Sequence, residues 1–210
     1  MAIQRHVVIF ARELRLGRGK RRLANRIGAV AALHFQRVAL RALLYRLGKD
    51  PQWTVWIAMT PDRGRLTIVR PPGLAIRPQG GGDLGERMRR PMRRPPLGLP
   101  PGPVVVIGSD IPDIRVCHIR QAFQTLDRHA FVFGPARDGG YWLVGSRRRP
   151  AETPDIFAGV RWSTEHALTD TLKNLNAAQV GLALPVLEDV DDAEAWRRWR
   201  RRPTFGFTVN

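Results

Sequence analysis

The stretch Val104 to Asp113, VVVIGSDIPD, constrains the fold more than any other part of the chain. Its first four residues are apolar and β-branched, which is typical of a strand buried on both faces. The strand runs into an acidic turn. In an open α/β sheet, ligands bind just beyond the carboxyl ends of the strands, so Asp110 marks a candidate site. Ser, Asp and Pro also form ordinary turns, so the stretch alone leaves a plain turn open.

Strands alternate with helices along the whole sequence, which predicts a three-layer α/β/α fold with a mostly parallel central sheet. We expect the strands at residues 5–11, 53–58, 66–69, 104–108, 129–133, 141–145 and 181–187. The helices are expected at residues 23–47, 84–90, 115–126 and 164–176, with a last helix after the acidic run at 189–192. Its 210 residues suit a single domain over residues 1–210, with a Pro- and Arg-rich surface loop or lid at 91–103.

The long helix predicted at residues 23–47 has apolar residues on two sides. One stripe includes His34, which we therefore interpret as a core histidine, together with Leu23, Ile27, Ala31, Val38, Ala42 and Tyr45. The second set is Leu33, Leu40, Leu44 and Leu47. Such a helix packs on the sheet and also on something else, for which a second subunit in a homodimer is a candidate. Gly48 is expected to end the helix.

Composition excludes several classes of protein. The single cysteine, Cys117, rules out an intrachain disulfide framework and a Cys-based zinc cluster. No apolar run approaches the roughly 20 residues of a membrane helix, and the N-terminus has no secretory segment, so we expect a cytoplasmic protein without membrane contact. The net charge of +17 favours anionic ligands, although a bias toward Arg codons would give the same excess.

Four loops follow predicted strands, at residues 12–22, 109–113, 134–140 and 188–192, and parallel strands would bring them to one edge. The first loop is basic and rich in glycine, so Lys20, Arg21 or Arg22 could neutralise phosphate oxygens. It lacks the P-loop and GxGxxG patterns, and a solvated basic turn is the alternative. The other loops offer carboxylates, Asp110, Asp138, Asp189 and Asp191, whose hard oxygens suit Mg²⁺ or Mn²⁺.

Six stretches also carry a resemblance, in the same order along nearly the whole chain: residues 9–24, 79–88, 106–114, 133–145, 156–163 and 188–196. The most specific is GPARDGGYWLVG, and EDVDDAEAW closes the series. They resemble the bacterial GT-A-like glycosyltransferase family found with arsenosugar-type and radical-SAM genes. More distantly, the chain is similar to 2-phospholactate and molybdenum-cofactor guanylyltransferases. The resemblance implies a nucleotide-diphosphosugar transferase (GT-A) fold, a nucleotide or nucleotide-sugar ligand and a divalent metal.

The resemblance also implies roles for individual residues. Arg12, Gly17, Lys20 and Arg22 correspond to phosphate- and nucleotide-binding positions, and Gln79 and Gly85 to positions that meet the base. Asp110 and Asp191 correspond to metal ligands, and Asp138, Gly139 and Gly140 to the turn on the acceptor or sugar side. Arg21 stands where the family usually has a threonine, so a hydroxyl is lost beside the phosphate site.

The leading hypothesis is a metal-dependent glycosyltransferase-like enzyme that transfers from a nucleoside diphosphate-sugar to a small-molecule acceptor. Asp110 and Asp191 would hold Mg²⁺ or Mn²⁺, Lys20 would neutralise the diphosphate, and Asp138 would orient the acceptor or act as its base. The first alternative is a nucleotidyltransferase that joins an NTP to a phosphorylated acceptor. The second is a catalytically degenerate protein that binds nucleic acid or a partner, and it ranks last because a pure binder has no need of carboxylates on three loops.

Overall fold

The fold is taken from a computed structural model, which describes residues 4–95, 98–148, 155–182 and 184–201. The strands are β1 (Arg5–Arg12), β2 (Trp53–Thr60), β3 (Ala75–Pro78), β4 (Val104–Gly108), β5 (Phe131–Pro135), β6 (Tyr141–Ser146) and β7 (Val180–Gly181). The helices are α1 (Arg21–Ile27), α2 (Ala29–Leu47), α3 (Leu84–Arg93), α4 (Val116–Arg128), α5 (Ala167–Lys173) and α6 (Ala193–Arg201), with a 3₁₀ turn at Ala177–Gln179.

Across the described ranges, the strands form one seven-stranded sheet in the order β3-β2-β1-β4-β6-β5-β7. Neighbouring strands are parallel except at β6, which is antiparallel to both β4 and β5. The prediction of a mostly parallel α/β sheet is therefore confirmed. The reversal at β6 has a simple cause, because residues 136–140 between β5 and β6 are too few for a crossover to a parallel strand.

The two faces of the sheet are covered by different helices. Val7, Ile9 and Ile107 point to one face, where α2 and α4 pack. Val8 and Val106 point to the other face, against α3 and the segment before α5. A third, smaller cluster joins α1, α2 and α6 through Leu23, Phe35, Ala39, Val190 and Ala195. Because α1 and α6 pack on α2, they lie on the α2 side of the sheet.

The single helix predicted at residues 23–47 is wrong, because Gly28 divides it into α1 and α2. Gly28 has φ +87° and ψ 150°, a conformation that a helix interior cannot contain and that glycine adopts without strain. Its N–H still closes α1 on the carbonyl oxygen of Ala24 at 2.9 Å. Gly48 ends α2 as expected, with its N–H on Leu44 O.

Of the two predicted apolar stripes, the second is confirmed as buried at Leu40, Leu44 and Leu47, whereas the first is buried only at Leu23. His34, Val38 and Tyr45 are exposed, so His34 is not a core histidine. The buried side instead consists of Ala32, Phe35, Ala39, Leu40, Leu43, Leu44 and Leu47. Tertiary packing selects this face, because Leu40, Leu43, Leu44 and Leu47 pack in the cluster under the sheet and Ala32, Phe35 and Ala39 pack against α1 and α6.

Other boundaries differ in places where the local pattern was weak. The strand predicted at residues 66–69 is irregular, and β3 lies at Ala75–Pro78 instead. The last predicted strand, 181–187, reduces to the two residues of β7 and a bridge between Ala136 and Leu187, and residue 183 lies outside the described residues. Pro91, placed in a loop by the sequence, lies in the last turn of α3. In the described part of the chain, every helix is too short or too polar to cross a bilayer.

Candidate active site at the carboxyl edge of the sheet

The four predicted loops gather at the carboxyl ends of the parallel strands. Strand β1 runs beside β4, with Phe10 opposite Gly108, so the loops that follow them leave from the same edge. The segment before α6 joins them, because Val190 N donates to the carbonyl oxygen of Asp110 at 3.2 Å. The turn between β5 and β6 is attached through Arg137 N, which donates to Leu187 O at 3.0 Å. The convergence expected from the sequence is therefore present.

Three carboxylates meet at this edge. Asp110, Asp189 and Asp191 each offer one oxygen, and these atoms lie within 4.8 Å of one another. Val190, between two of them, is buried against α1 and α2. In an extended segment, alternate side chains point to opposite sides, so burial of Val190 turns Asp189 and Asp191 toward Asp110. We call these three residues the acid cluster.

Lys20 lies against the acid cluster. Its Nζ is 2.7 Å from Asp110 Oδ2 and also donates to Asp191 Oδ1. The side chain is only 9% exposed. The backbone of Lys20 is left-handed, with φ 43° and ψ 43°, immediately before α1. This turn directs a basic side chain from the glycine-rich loop back over the end of β4.

The charges in the cluster do not balance. Burial disfavours the ammonium of Lys20, but Asp110 and Asp191 outweigh that penalty and raise its pKa. Burial also opposes ionisation of Asp191, yet Lys20 lowers the pKa of that carboxyl below its usual range. Burial, and then repulsion from Asp191, raise the pKa of Asp189 to about 7. One ammonium therefore serves three carboxylates, and negative charge remains uncompensated.

Asp110 and Asp191 are the predicted metal ligands, and Asp189 is not among them. The structure brings all three together. The spacing of Asp189 and Asp191 could have indicated a shared role, because residues two positions apart in an extended segment lie on the same side. Knowing that the segment is extended, however, required seeing Val190 enter the core.

The turn proposed for the acceptor side lies apart from the carboxylates of the cluster. Asp138 is exposed, and its Oδ1 accepts a hydrogen bond from Gly140 N at 2.9 Å. Gly139 has φ +83°, and a Cβ there would lie 2.1 Å from Glu165 O, so only glycine fits. Gly139 O in turn accepts from Leu168 N at 3.1 Å, which fixes the turn to the start of α5.

The two residues predicted to meet a base are both committed to packing. Gln79 is buried, and its Nε2 donates to the carbonyl oxygens of Ala11 at 3.3 Å and Ala58 at 2.9 Å. It thereby ties the ends of β1 and β2 together. Gly85 lies in the first turn of α3, where a Cβ would collide with Phe157 and Trp162. A contact of either residue with a base stays a prediction.

The remaining phosphate-side residues lie around the same edge. Arg12 ends β1 and is exposed, and Gly17 provides a positive φ of 76° in the loop that follows. Arg22 lies in the first turn of α1 and is exposed. Its charge contributes to the lowered pKa of Asp191, which places it near the acid cluster.

The chain was compared with known proteins. A family model described as an uncharacterized protein conserved in bacteria (DUF2064) matches residues 43–164. No curated protein sequence gives a significant match. Among solved structures, a protein from Desulfovibrio desulfuricans G20, provisionally named a nucleotide-diphospho-sugar transferase, is 28% identical with a TM-score of 0.84. That match covers 97% of this chain and 90% of the other.

Two further structures share the fold at low identity. CMP:2-keto-3-deoxy-manno-octonic acid synthetase, solved with CTP, is 12% identical with a TM-score of 0.55, covering 94% of this chain and 97% of that one. Glucosyl-3-phosphoglycerate synthase from Mycobacterium tuberculosis, solved with Mn²⁺, UDP and glucosyl-3-phosphoglycerate, is 11% identical with a TM-score of 0.51. That match covers 90% and 72% of the two chains. The GT-A-like fold predicted from the sequence is confirmed, whereas the arsenosugar and radical-SAM association stays a prediction.

Proposed function

The chain belongs to the bacterial protein family DUF2064, and from this premise we propose that it is a metal-dependent glycosyltransferase-like enzyme that binds a nucleoside diphosphate-sugar. The observation that carries the proposal is the acid cluster, in which carboxylates from two separate loops converge at the edge where α/β sheets bind ligands. The fold of the neighbouring transferases supports the same reaction class.

The donor set of the acid cluster fits a hard divalent cation. Asp110, Asp189 and Asp191 supply carboxylate oxygens, which Mg²⁺ and Mn²⁺ prefer. Lys20 brings one positive charge to three carboxylates and so does not fully neutralise the cluster. When bound, a divalent cation would stabilise the charge that develops on the diphosphate leaving group. A glycosyltransferase among the structural neighbours was solved with Mn²⁺ and UDP, which supports this choice.

Lys20 has a second role in the proposal. Its ammonium donates to Asp110 and Asp191, and it would compete with a cation for the same oxygens. If a cation displaced Lys20 from the carboxylates, its ammonium would be free to bind phosphate oxygens of a ligand held at the glycine-rich loop. Lys20 would then bind the diphosphate, and Asp110, Asp189 and Asp191 would hold the cation.

Asp138 is proposed to orient the acceptor or to act as its base. Its Oδ1 is held by Gly140 N, which fixes the carboxylate in an exposed position on the turn after β5. The same turn is bonded to Leu187, two residues before Asp189. An acceptor between the turn and the acid cluster would thus contact both.

Calorimetry with UDP, GDP and the corresponding nucleotide-sugars tests the proposal. We expect at least one of these ligands to bind with Mn²⁺ and much more weakly in EDTA. Asp110→Asn and Asp189→Asn should each remove the metal-dependent part, because each deletes a cation ligand while keeping the side-chain shape. Asp113→Asn is the matched control, since it changes an acid on the same loop outside the acid cluster. Equal metal-dependent binding by wild type and Asp110→Asn would refute the metal assignment.

The same reagents separate the alternatives. Pyrophosphate release from an NTP, without use of a sugar nucleotide, would select nucleotidyl transfer, for which the CTP-bound neighbour provides a precedent in the fold. Binding of DNA with a steep salt dependence, together with no nucleotide binding, would select the nucleic-acid alternative.

A further inference from the structure

A groove between α1 and α6 adjoins the acid cluster. Its volume is about 440 Å³. It begins at Asp192, the residue after Asp191 of the cluster. The lining residues are Arg22, Arg26, Asp192, Ala193, Glu194 and Arg197. We call this cavity the arginine groove.

Three guanidinium groups converge on the arginine groove from two helices. Arg22 and Arg26 are four residues apart on α1 and therefore share a face, and Arg197 comes from α6. All three are exposed. Within the part of the chain that the structure describes, none of them makes a hydrogen bond or an ion pair. Three like charges on one groove, none of them in a direct ion pair, favour an anionic ligand.

The two acids in the groove are already engaged. Asp192 Oδ1 accepts from Glu194 N and Ala195 N, both at 2.8 Å, and so caps the start of α6. The carboxylate of Glu194 pairs with Arg198, one turn further along the helix. Neither acid forms an ion pair with the arginines that line the groove, and the three positive charges outnumber the two negative ones. The N-terminal end of α6 adds a partial positive charge at the same place.

The ligand chemistry follows from the side chains. Guanidinium groups are planar and offer paired N–H donors, a geometry that matches the oxygens of a phosphate. A groove of this size, open to solvent, accommodates a phosphorylated small molecule. Lysine, which binds phosphate as a point charge, is not among the lining residues.

The groove lies on the side of the sheet opposite the positions predicted to meet the nucleotide base. α1 and α6 pack on α2, which covers one face. Gly85 is on α3, which covers the other face. We propose that the arginine groove binds the phosphate group of the second substrate, a phosphorylated acceptor, next to the acid cluster. The assignment of that ligand as an acceptor rests on the proposed transferase function, whereas phosphate binding by the groove does not.

Phosphate titrations test the groove directly. Binding of inorganic phosphate is measured by ³¹P NMR at low salt in EDTA, so that no divalent cation contributes. We expect the double variant Arg26→Gln with Arg197→Gln to bind phosphate at least about tenfold more weakly, since two charge-assisted contacts are lost. Arg41→Gln, an exposed arginine on α2 outside the groove, should stay within about twofold of wild type. Unchanged phosphate binding by the double variant would overturn the proposal.

A further pair of measurements separates this proposal from the proposed function. Asp110→Asn should lose Mn²⁺-dependent nucleotide binding and keep phosphate binding in EDTA. A change of tenfold or more in the phosphate affinity of Asp110→Asn would place the phosphate at the acid cluster, beside Lys20, and would overturn the assignment to the arginine groove. If the wild-type protein bound phosphate but no nucleotide, the proposed transferase function would be refuted. The proposal of an anion site in the arginine groove would still hold.

A single-stranded oligonucleotide tests the nucleic-acid alternative. Binding of the oligonucleotide that is lost in the Arg26 and Arg197 double variant, combined with no detectable binding of inorganic phosphate, would identify the groove as part of a nucleic-acid surface and overturn the proposal. Absence of oligonucleotide binding, with phosphate bound, is the result we expect.

Discussion

Two acidic centres in this protein use the same chemistry with opposite charge balance. Asp170, in the first turn of α5, accepts from Arg161 Nε at 2.7 Å and Nη2 at 2.9 Å, and Lys173 Nζ lies 3.3 Å away. The hydrogen bonds from Arg161 hold the pKa of Asp170 well below its usual range. In the acid cluster, by contrast, three carboxylates share Lys20 and the pKa of Asp189 rises.

The difference in charge balance separates a structural ion pair from a candidate ligand site. Two cations on one carboxylate stabilise the chain segment that they join and leave nothing for a ligand. Three carboxylates on one cation cost stability, and such strain is common where a site awaits a charged ligand. The comparison therefore predicts opposite responses to the same substitution, Asp to Asn, at the two centres.

The largest effect on stability is expected at the balanced centre. Asp170→Asn removes the partner of both cations and should lower the midpoint of thermal unfolding by several degrees at pH 7. Because the pKa of Asp170 is lower in the folded state, its contribution is complete above about pH 4, the ordinary value for Asp, and is lost as the pH falls further. The difference in unfolding midpoint between wild type and Asp170→Asn should therefore become smaller below about pH 4.

Asp155→Asn provides the control for that measurement. Asp155 pairs with Arg89, but its side chain is 45% exposed, and exposed pairs contribute little. If Asp155→Asn and Asp170→Asn lowered the unfolding midpoint equally, the structural role assigned to Asp170 would be contradicted.

An intermediate effect is expected at Lys20. Lys20→Met removes the internal cation, so Mn²⁺ should bind more tightly, by about tenfold or about 1.4 kcal/mol. The affinity for UDP in the presence of Mn²⁺ should instead fall by about tenfold, because a charge-assisted contact with the diphosphate is lost. Calorimetry measures both affinities. Lys49→Met, which removes an exposed lysine on the ring of Tyr45, should change neither. A fall in both affinities would contradict the competition between Lys20 and the metal.

The smallest effect is expected for Asp189→Asn, which should stabilise the protein, whereas Asp170→Asn should destabilise it. In EDTA at pH 8, Asp189→Asn should raise the unfolding midpoint by about 2–4 °C, equivalent to about 1 kcal/mol for a chain of this size. The folded-state pKa of about 7 exceeds the unfolded value of about 4, so the penalty grows between these pH values and is complete above them.

The gain from Asp189→Asn should therefore shrink at pH 5. Asp138→Asn is the matched control, since the asparagine oxygen keeps the bond to Gly140 N and no excess charge is relieved. A destabilised Asp189 variant at both pH values would show that the cluster is not strained.

The sequence predicts the parts of the fold that depend on local pattern. The apolar run at β4 and the basic loop after β1 locate the edge at which Lys20, Asp110 and Asp191 meet. The break at Gly28 depends on the path of the chain, and the reversal of β6 follows from the short turn before it, neither of which periodicity reports. His34 shows the same limit, because two apolar stripes compete on α2 and tertiary packing decides which one is buried.

The candidate site shows the same division between what the local sequence predicts and what tertiary packing decides. Asp110 and Asp191 could be assigned from a resemblance, whereas Asp189 needed the direction of Val190 into the core. Arg26 and Arg197 cannot be recognised as a pair in the sequence, since 170 residues separate them and their helices meet in a cluster that includes Leu23 of α1 and Ala195 of α6. Among many arginines, the pattern alone cannot show which ones face a common groove.

A crystal structure of the protein with Mn²⁺ and UDP tests the central claim most directly. We expect an anomalous peak for Mn²⁺ among Asp110, Asp189 and Asp191, with Lys20 Nζ moved from these carboxylates to the oxygens of the diphosphate. Mn²⁺ bound elsewhere, with Lys20 still on Asp110 and Asp191, would contradict it.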